Sequence, residues 1–145
     1  MNEQLHSGYP EPPVDEINRE HVDAWRTGRL TLQHCRQCAT RIFYPRPMCP
    51  ACWSEDLEWV EADGGGTIES FSLVYRPNHE AFFDETPIVL AEVRLEEGVS
   101  MLARVVDADT TTLRTGMAVE LLSGEAARRY PLPTFRPSKA ALEVG

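Results

Sequence analysis

The chain has 145 residues, 42% of them hydrophobic, which suits one domain, or a small module joined to one, with a core of limited size. A net charge of -9 and a pI near 4.9 set the global field against phosphate-rich partners and argue against a general nucleic-acid binder. No stretch approaches the roughly 20 apolar residues of a membrane span, and the start, MNEQLHSGYPEPPVDE, lacks a basic-then-apolar leader pattern. The expected location is therefore the cytoplasm, a reducing compartment in which close thiols favour metal over disulfide.

Residues 1–14, rich in Pro and Gly, read as a flexible arm. A helix is predicted over residues 15–28. Asp15 and Glu16 stand at its start, Gly28 at its stop, and Ile17, His21, Ala24 and Trp25 recur on one face. Trp25 is a candidate for docking a partner, against the alternative that it packs on its own domain. Residues 29–62 hold all four cysteines, and from Ala24 to Ser54 there are arginines but no Asp or Glu. Residues 61–97 reverse that balance. The triple glycine Gly64–Gly66 lacks the Lys-Ser/Thr ending of a phosphate loop and reads as a hinge into residues 63–137.

That second part is β-like. GTIESFSLVYR alternates apolar and polar residues with one slip between Ile68 and Phe71. PIVLAEVRLEEG and VSMLARVVDAD read as two strands joined at Glu96-Glu97-Gly98, and AVELLSG as another. Short strands of this kind without a long helix fit an OB-fold, a partly open five-stranded barrel. The fold class is thus mainly β: an N-terminal helix, a zinc ribbon and a barrel. The Pro-broken end YPLPTFRPSKAALEVG is expected to pack along the surface, with residues 138–145 as a tail.

Cys35, Cys38, Cys49 and Cys52 form C-x2-C-x10-C-x2-C. Each pair can place two thiolates on one side of a tight turn, and two facing turns give the tetrahedral shell that Zn2+ accepts. Four thiolates leave no open position for water, so such a metal is structural. Iron is held by the same ligand set in rubredoxin, so zinc and iron both stay open. His34 could stand in for one cysteine, although four thiolates already close the shell. A thioredoxin-like role lacks the βαβ context it needs. Ala39 and Trp53 occupy positions where such knuckles often carry Gly, and Trp53 is expected to cover one side of the site.

The order of helix, GRLTLQHCRQC, the aromatic-Pro link from Tyr44 to Cys49, the Trp59 motif after the last cysteine, GGGTIESF and LPTFRP resembles a known family. It is the zinc-ribbon/OB-fold family associated with acyl-CoA metabolism, long known as domain of unknown function thirty-five. The resemblance covers about residues 15–137. It implies a rubredoxin-like ribbon and a small zinc subunit that partners a thiolase, an acyltransferase or a sterol-carrier-type aldolase acting on acyl-CoA thioesters. Steroid or lipid catabolism is the implied setting. Such a subunit would stabilise its partner and help shape the acyl-CoA site.

No catalytic set emerges from the residues. All four thiols are committed to metal, and no Ser lies in a G-x-S-x-G elbow. His79, near Glu80, Asp84 and Glu85, is a weak acid–base candidate. Phe82 and Phe83 beside it are candidates for docking a partner. If the chain instead binds acyl-CoA or lipid by itself, Arg26, Arg29, Arg41 and Arg46 are the candidate CoA-phosphate contacts. Single-stranded nucleic acid is the weakest reading, because an OB-fold that binds it wants a basic groove and this barrel segment is acidic.

Overall fold

A computed structural model describes residues 9–139. Helix α1 spans Arg19–Arg26, four residues later than its sequence signals suggest. The delay has a local cause. The Asp15 carboxylate accepts the backbone N–H groups of Ile17 and Asn18, while the Asn18 side-chain oxygen accepts that of Asp15. This reciprocal box holds residues 16–18 as a turn before the helix begins. At the other end Gly28 (φ +84°) takes the left-handed conformation that stops a helix.

Strands β1 (Thr31–Cys35), β2 (Arg41–Ile42) and β3 (Leu57–Glu61) form an antiparallel sheet in the order β2-β1-β3. Strands β4 (Gly65–Val74), β5 (Ile88–Leu95), β6 (Ser100–Val105), β7 (Ala118–Leu121) and β8 (Thr134–Pro137) close a barrel in the order β4-β5-β6-β8-β7. The slip in the alternation of β4 is a β-bulge between Ile68 and Ser70. The extra residue returns Phe71 and Leu73 to the side of Ile68.

Two expectations are corrected here. The segment around TFRP is not surface packing: β8 pairs in parallel with β6 and antiparallel with β7 and so closes the barrel. Its Phe135 is fully buried, a burial that contributes about 1.5–3 kcal/mol. Nor is the triple glycine a hinge, since Gly65 and Gly66 are strand residues paired to β7, and Gly66 also pairs to Leu95 of β5.

A short helix α2, Gly124–Arg128, has no clear sequence signal. Its Ala127 packs with Trp25 and Leu122 in a small second cluster, which seats α1 on the barrel. Trp25 is 2% exposed and its indole N–H donates to the Tyr130 carbonyl at 2.8 Å, so it belongs to this core and offers nothing to a partner. Residues 1–8 of the expected arm and 140–145 of the tail lie outside the described residues. At the described end of the arm Tyr9 is anchored, buried between the rings of Phe82 and Tyr130.

Candidate metal centre and adjoining groove

The two cysteine pairs fold into near-copies of one turn. In the first, the Ala39 N–H donates to the Cys35 carbonyl and the Cys35 N–H to the Thr40 carbonyl. In the second, Trp53 donates to Cys49 and Cys49 to Ser54. Backbone N–H groups of Cys38 and Ala51 point at the sulfurs of Cys35 and Cys49, at 3.5 and 3.3 Å. Each turn closes on a left-handed residue, Ala39 (φ 68°) and Trp53 (φ 70°). Those are the positions at which Gly is customary, and a side chain there costs on the order of 1 kcal/mol. Trp53 does not cover the sulfurs as expected; it is 76% exposed.

The four sulfurs lie within 4.8 Å of one another, with Cys35–Cys52 at 3.5 Å and Cys38–Cys49 at 3.6 Å. A tetrahedral ion with ~2.3 Å bonds to sulfur separates its ligands by about 3.8 Å, so the donor set fits zinc. Its electrostatics favour a divalent cation. The Thr40 hydroxyl, above all, draws the Cys38 thiol down to about 6. At Cys52 the Ser54 backbone favours ionisation, but burial and the other three sulfurs outweigh it and push the thiol up to about 12. Neighbouring thiolates repel one another, and a bound cation removes that cost. His34 is turned away, its Nδ1 at 2.7 Å from Glu58. Arg36 bridges Asp56 and Glu58 at 2.8 and 3.3 Å beside it.

The four arginines proposed for phosphate do not converge. Arg26 lies 3.8 Å from Asp23, and Arg29 lies 3.7 Å from Glu61 in a different crevice. Arg41 and Arg46 are exposed on the ribbon, where the Arg46 backbone is tied to the Gln33 amide at 2.7 and 2.9 Å.

Where arm, α1, ribbon and barrel meet, the structure opens a largely apolar groove of about 670 Å³. His21, Phe43, Tyr44, Leu102 and Arg104 are among the residues that line it. Tyr9 and Arg104, which also line it, belong to a polar cluster assembled from distant parts of the chain. The Tyr9 hydroxyl donates to Glu85 at 2.6 Å, and the guanidinium groups of Arg104 and Arg129 lie 2.8 and 3.8 Å from the same carboxylate. Burial raises the Glu85 carboxyl, but the Tyr9 hydroxyl and the two arginines prevail and hold it below the usual range. Arg104 also lies over the rings of Phe82 and Tyr130, 5.9 and 5.5 Å from their centroids.

Phe82 is therefore tucked in, whereas Phe83 is exposed. His79 serves the backbone, its Nδ1 accepting the Ala81 N–H at the start of a 3-10 turn, Glu80–Glu85. Sequence reasoning missed Arg104 and Glu85 as partners. They are joined only by the barrel fold, and no local motif marks them.

Comparison with known proteins follows this division of the chain. Residues 22–58 match the family described as "ChsH2, rubredoxin-like zinc ribbon domain" and residues 59–123 that described as "ChsH2, C-terminal OB-fold domain". A probable enoyl-CoA hydratase alpha subunit of Thermomonospora curvata is 36% identical over 89% of this chain, which spans only 40% of that longer protein. The benzoylsuccinyl-CoA thiolase subunit BbsA of Geobacter metallireducens is 31% identical over 79% of this chain and 77% of its own length. Among solved structures, a chain of the Ltp2-ChsH2(DUF35) aldolase superposes with a TM-score of 0.77 at 36% identity. The match covers 88% of this chain and 98% of that one.

Proposed function

The chain belongs to the ChsH2 (DUF35) family of zinc-ribbon/OB-fold proteins, and from that premise we propose that it is a non-catalytic, zinc-binding accessory subunit of an acyl-CoA enzyme. The partner is a thiolase-superfamily protein, whether thiolase, acyltransferase or aldolase, acting on CoA thioesters in lipid or steroid breakdown. One observation carries the reading: the likeness runs along nearly the whole chain to proteins named as a thiolase subunit and as part of an aldolase complex. The chemistry supports it. The only cluster of potential metal ligands among the described residues is the closed four-sulfur set, which leaves no site for an activated water.

Cys35, Cys38, Cys49 and Cys52 would hold Zn2+, which when bound supplies cross-linking rather than Lewis-acid chemistry. The chain's own residues do the rest. Arg41 and Arg46 are exposed on the ribbon, whereas Arg36 is engaged by Asp56 and Glu58, and the barrel segment carries more acidic than basic residues, so a small basic patch and an acidic surface are available to one partner. Of Trp25, Phe82 and Phe83, only Phe83 is exposed, and it is available for that contact.

Affinity purification of the tagged chain from its native host tests the proposal. A thiolase-fold protein recovered in near-equal amount is the expected result, together with no thioester turnover by the chain alone. A chain that elutes alone and cleaves acyl-CoA refutes it. A free-standing lipid-binding module is the second reading, and the apolar groove is the observation that favours it.

A further inference from the structure

The four-sulfur set has an asymmetry that its spacing along the chain does not show. In each turn the first cysteine is sealed in and the second is open: Cys35 and Cys49 are fully buried, whereas Cys38 and Cys52 are exposed. Trp53, the large side chain next to Cys52, is itself in solvent and does not roof that face. Reactivity of a thiolate toward an oxidant follows its access, so a small oxidant meets Cys38 and Cys52 first. The Cys35 and Cys49 sulfurs lie behind them, engaged by the N–H groups of Cys38 and Ala51.

The sulfurs also pair across the turns. Cys38 Sγ lies 3.6 Å from Cys49 Sγ, and Cys52 Sγ lies 3.5 Å from Cys35 Sγ. Each contact joins an exposed sulfur of one turn to a buried sulfur of the other. A thiolate oxidised at the surface therefore has a resolving thiolate in place behind it. The Cys38–Cys49 contact has a further consequence for the fold. It spans the two ends of the segment that carries Phe43 and Tyr44, which line the groove.

We propose that this centre is a reversible oxidation site for a hydroperoxide: Cys38 and Cys52 are attacked, Cys49 and Cys35 resolve them, and the cross-turn bonds that result hold the groove wall when no ion does. With hydrogen peroxide, the Cys38 thiolate attacks one oxygen, so that an S–O bond forms and the O–O bond breaks. The departing hydroxide takes up a proton, and Cys38 is left as a sulfenic acid. The Cys49 thiolate then attacks that sulfur; an S–S bond forms, the S–O bond breaks, and a second hydroxide leaves and is protonated. Two thiolates have lost two electrons, one peroxide has become two waters, and two protons have been consumed. Cys52 and Cys35 repeat the sequence with a second peroxide. The metal-binding thiolates are then gone, but residues 39–48 are closed into a covalent loop between the same two turns. A dithiol reductant restores the four thiolates. The proposal rests on the metal assignment of the ribbon and goes beyond the accessory-subunit reading, since it needs no partner.

Treatment of the full zinc-loaded chain with hydrogen peroxide at about 0.1–1 mM and neutral pH tests it. A chromogenic chelator should read complete zinc release, and a dithiol with added zinc should restore the bound ion. Tryptic cleavage after Arg36 and Arg41 separates Cys35 from Cys38. Cross-turn bonds then tie both short peptides to the one carrying Cys49 and Cys52, and tandem mass spectrometry should assign Cys38–Cys49 and Cys35–Cys52. Hydrogen exchange supplies a readout that a merely labile metal would not give. The Leu102 amide, bonded to the Tyr44 hydroxyl, should exchange at least about tenfold more slowly in the oxidised zinc-free chain than in the reduced chain stripped by a chelator. Zinc retained through the treatment overturns the proposal, as do bonds within the turns, Cys35–Cys38 or Cys49–Cys52, and oxidation that runs on to sulfinic acids. So does a Leu102 amide that exchanges as fast after oxidation as after chelation. All of these readouts are made on the isolated chain, so they stand whatever it co-purifies with.

Discussion

Gly66→Ala distinguishes a strand from a hinge by the sign of its effect. A Cβ built at Gly66 would lie 2.6 Å from Val93 Cγ1 and 2.9 Å from the Arg94 carbonyl oxygen. Carbon atoms pack best at about 3.5–4.0 Å, so the overlap with Val93 is roughly 1 Å. Neither neighbour can yield cheaply. Val93 is fully buried and β-branched, which leaves it few rotamers, and the Arg94 oxygen belongs to the paired strand. β4 must move away from β5 while still paired to β7, and overpacking of this kind costs about 2–3 kcal/mol. In a flexible hinge the same change would stabilise by about 0.4–1 kcal/mol, by restricting the unfolded chain. Gly65→Ala is the control. Its nearest neighbour is the end of the Glu96 side chain at 3.3 Å, which can swing aside, so the expected change is within about 0.5 kcal/mol. Urea unfolding at neutral pH with saturating zinc measures both, and the thermal midpoint of Gly66→Ala should fall by about 4–10 °C. A Gly66→Ala protein as stable as the parent would refute the reasoning.

Trp25→Phe leaves the Tyr130 carbonyl without its indole donor and should cost about 1–3 kcal/mol in urea unfolding; an unchanged midpoint would mean that Trp25 is not part of the core. The Glu85 carboxyl is held below its ordinary value of 4.5, so its stabilising contribution is complete above that value and is lost as pH falls through the lower folded-state value. Glu85→Gln should therefore be less stable at neutral pH and show a shallower loss of stability under acid, and parallel acid curves for the two proteins would contradict the assigned cluster. Stripping the metal, or Cys35→Ser, should abolish zinc binding and expose the Leu102 amide to hydrogen exchange, since its N–H donates to the Tyr44 hydroxyl of the ribbon. The Val93 amide, inside the barrel ladder, should stay protected, and a Leu102 amide indifferent to metal would break the link between ribbon and barrel.

Legibility in the sequence follows how local each signal is. The paired cysteines fall within eighteen residues, and their geometry is carried by two short turns, so spacing alone shows the cluster. The slip in the β4 alternation is likewise local, and it marks the bulge at its true place. β8 is hidden because Pro131 and Pro133 precede, and Pro137 ends, a strand of four residues. Only closure of the barrel between β6 and β7 makes Thr134–Pro137 a strand. The Tyr9–Glu85 contact spans 76 residues and involves ordinary residue types, so no window along the chain contains it. His21 shows the intermediate case. It stands on the expected helix face, but its edge-on contact with Phe43 of the ribbon exists only in the fold.

The metal centre and the groove are mechanically one device. Phe43 and Tyr44 sit on the segment between the two cysteine turns, and the Gln33 amide clamps that segment by bonding the Arg46 N–H and carbonyl. The pairing of β6 with β8 covers only Arg104 and Val105, which leaves the Leu102 N–H upstream for the Tyr44 hydroxyl at 3.1 Å. Phe43 closes on His21 from the same side. One wall of the groove thus hangs between the two turns that carry the four sulfurs; Tyr44 meets the barrel through the Leu102 hydrogen bond, while Phe43 packs on the barrel core and edge-on against His21 of α1. A closed four-thiolate centre can contribute no chemistry to a thioester. By fixing both ends of that segment a bound metal would hold this wall of the groove in place, and a structural ion would thereby influence what the groove admits.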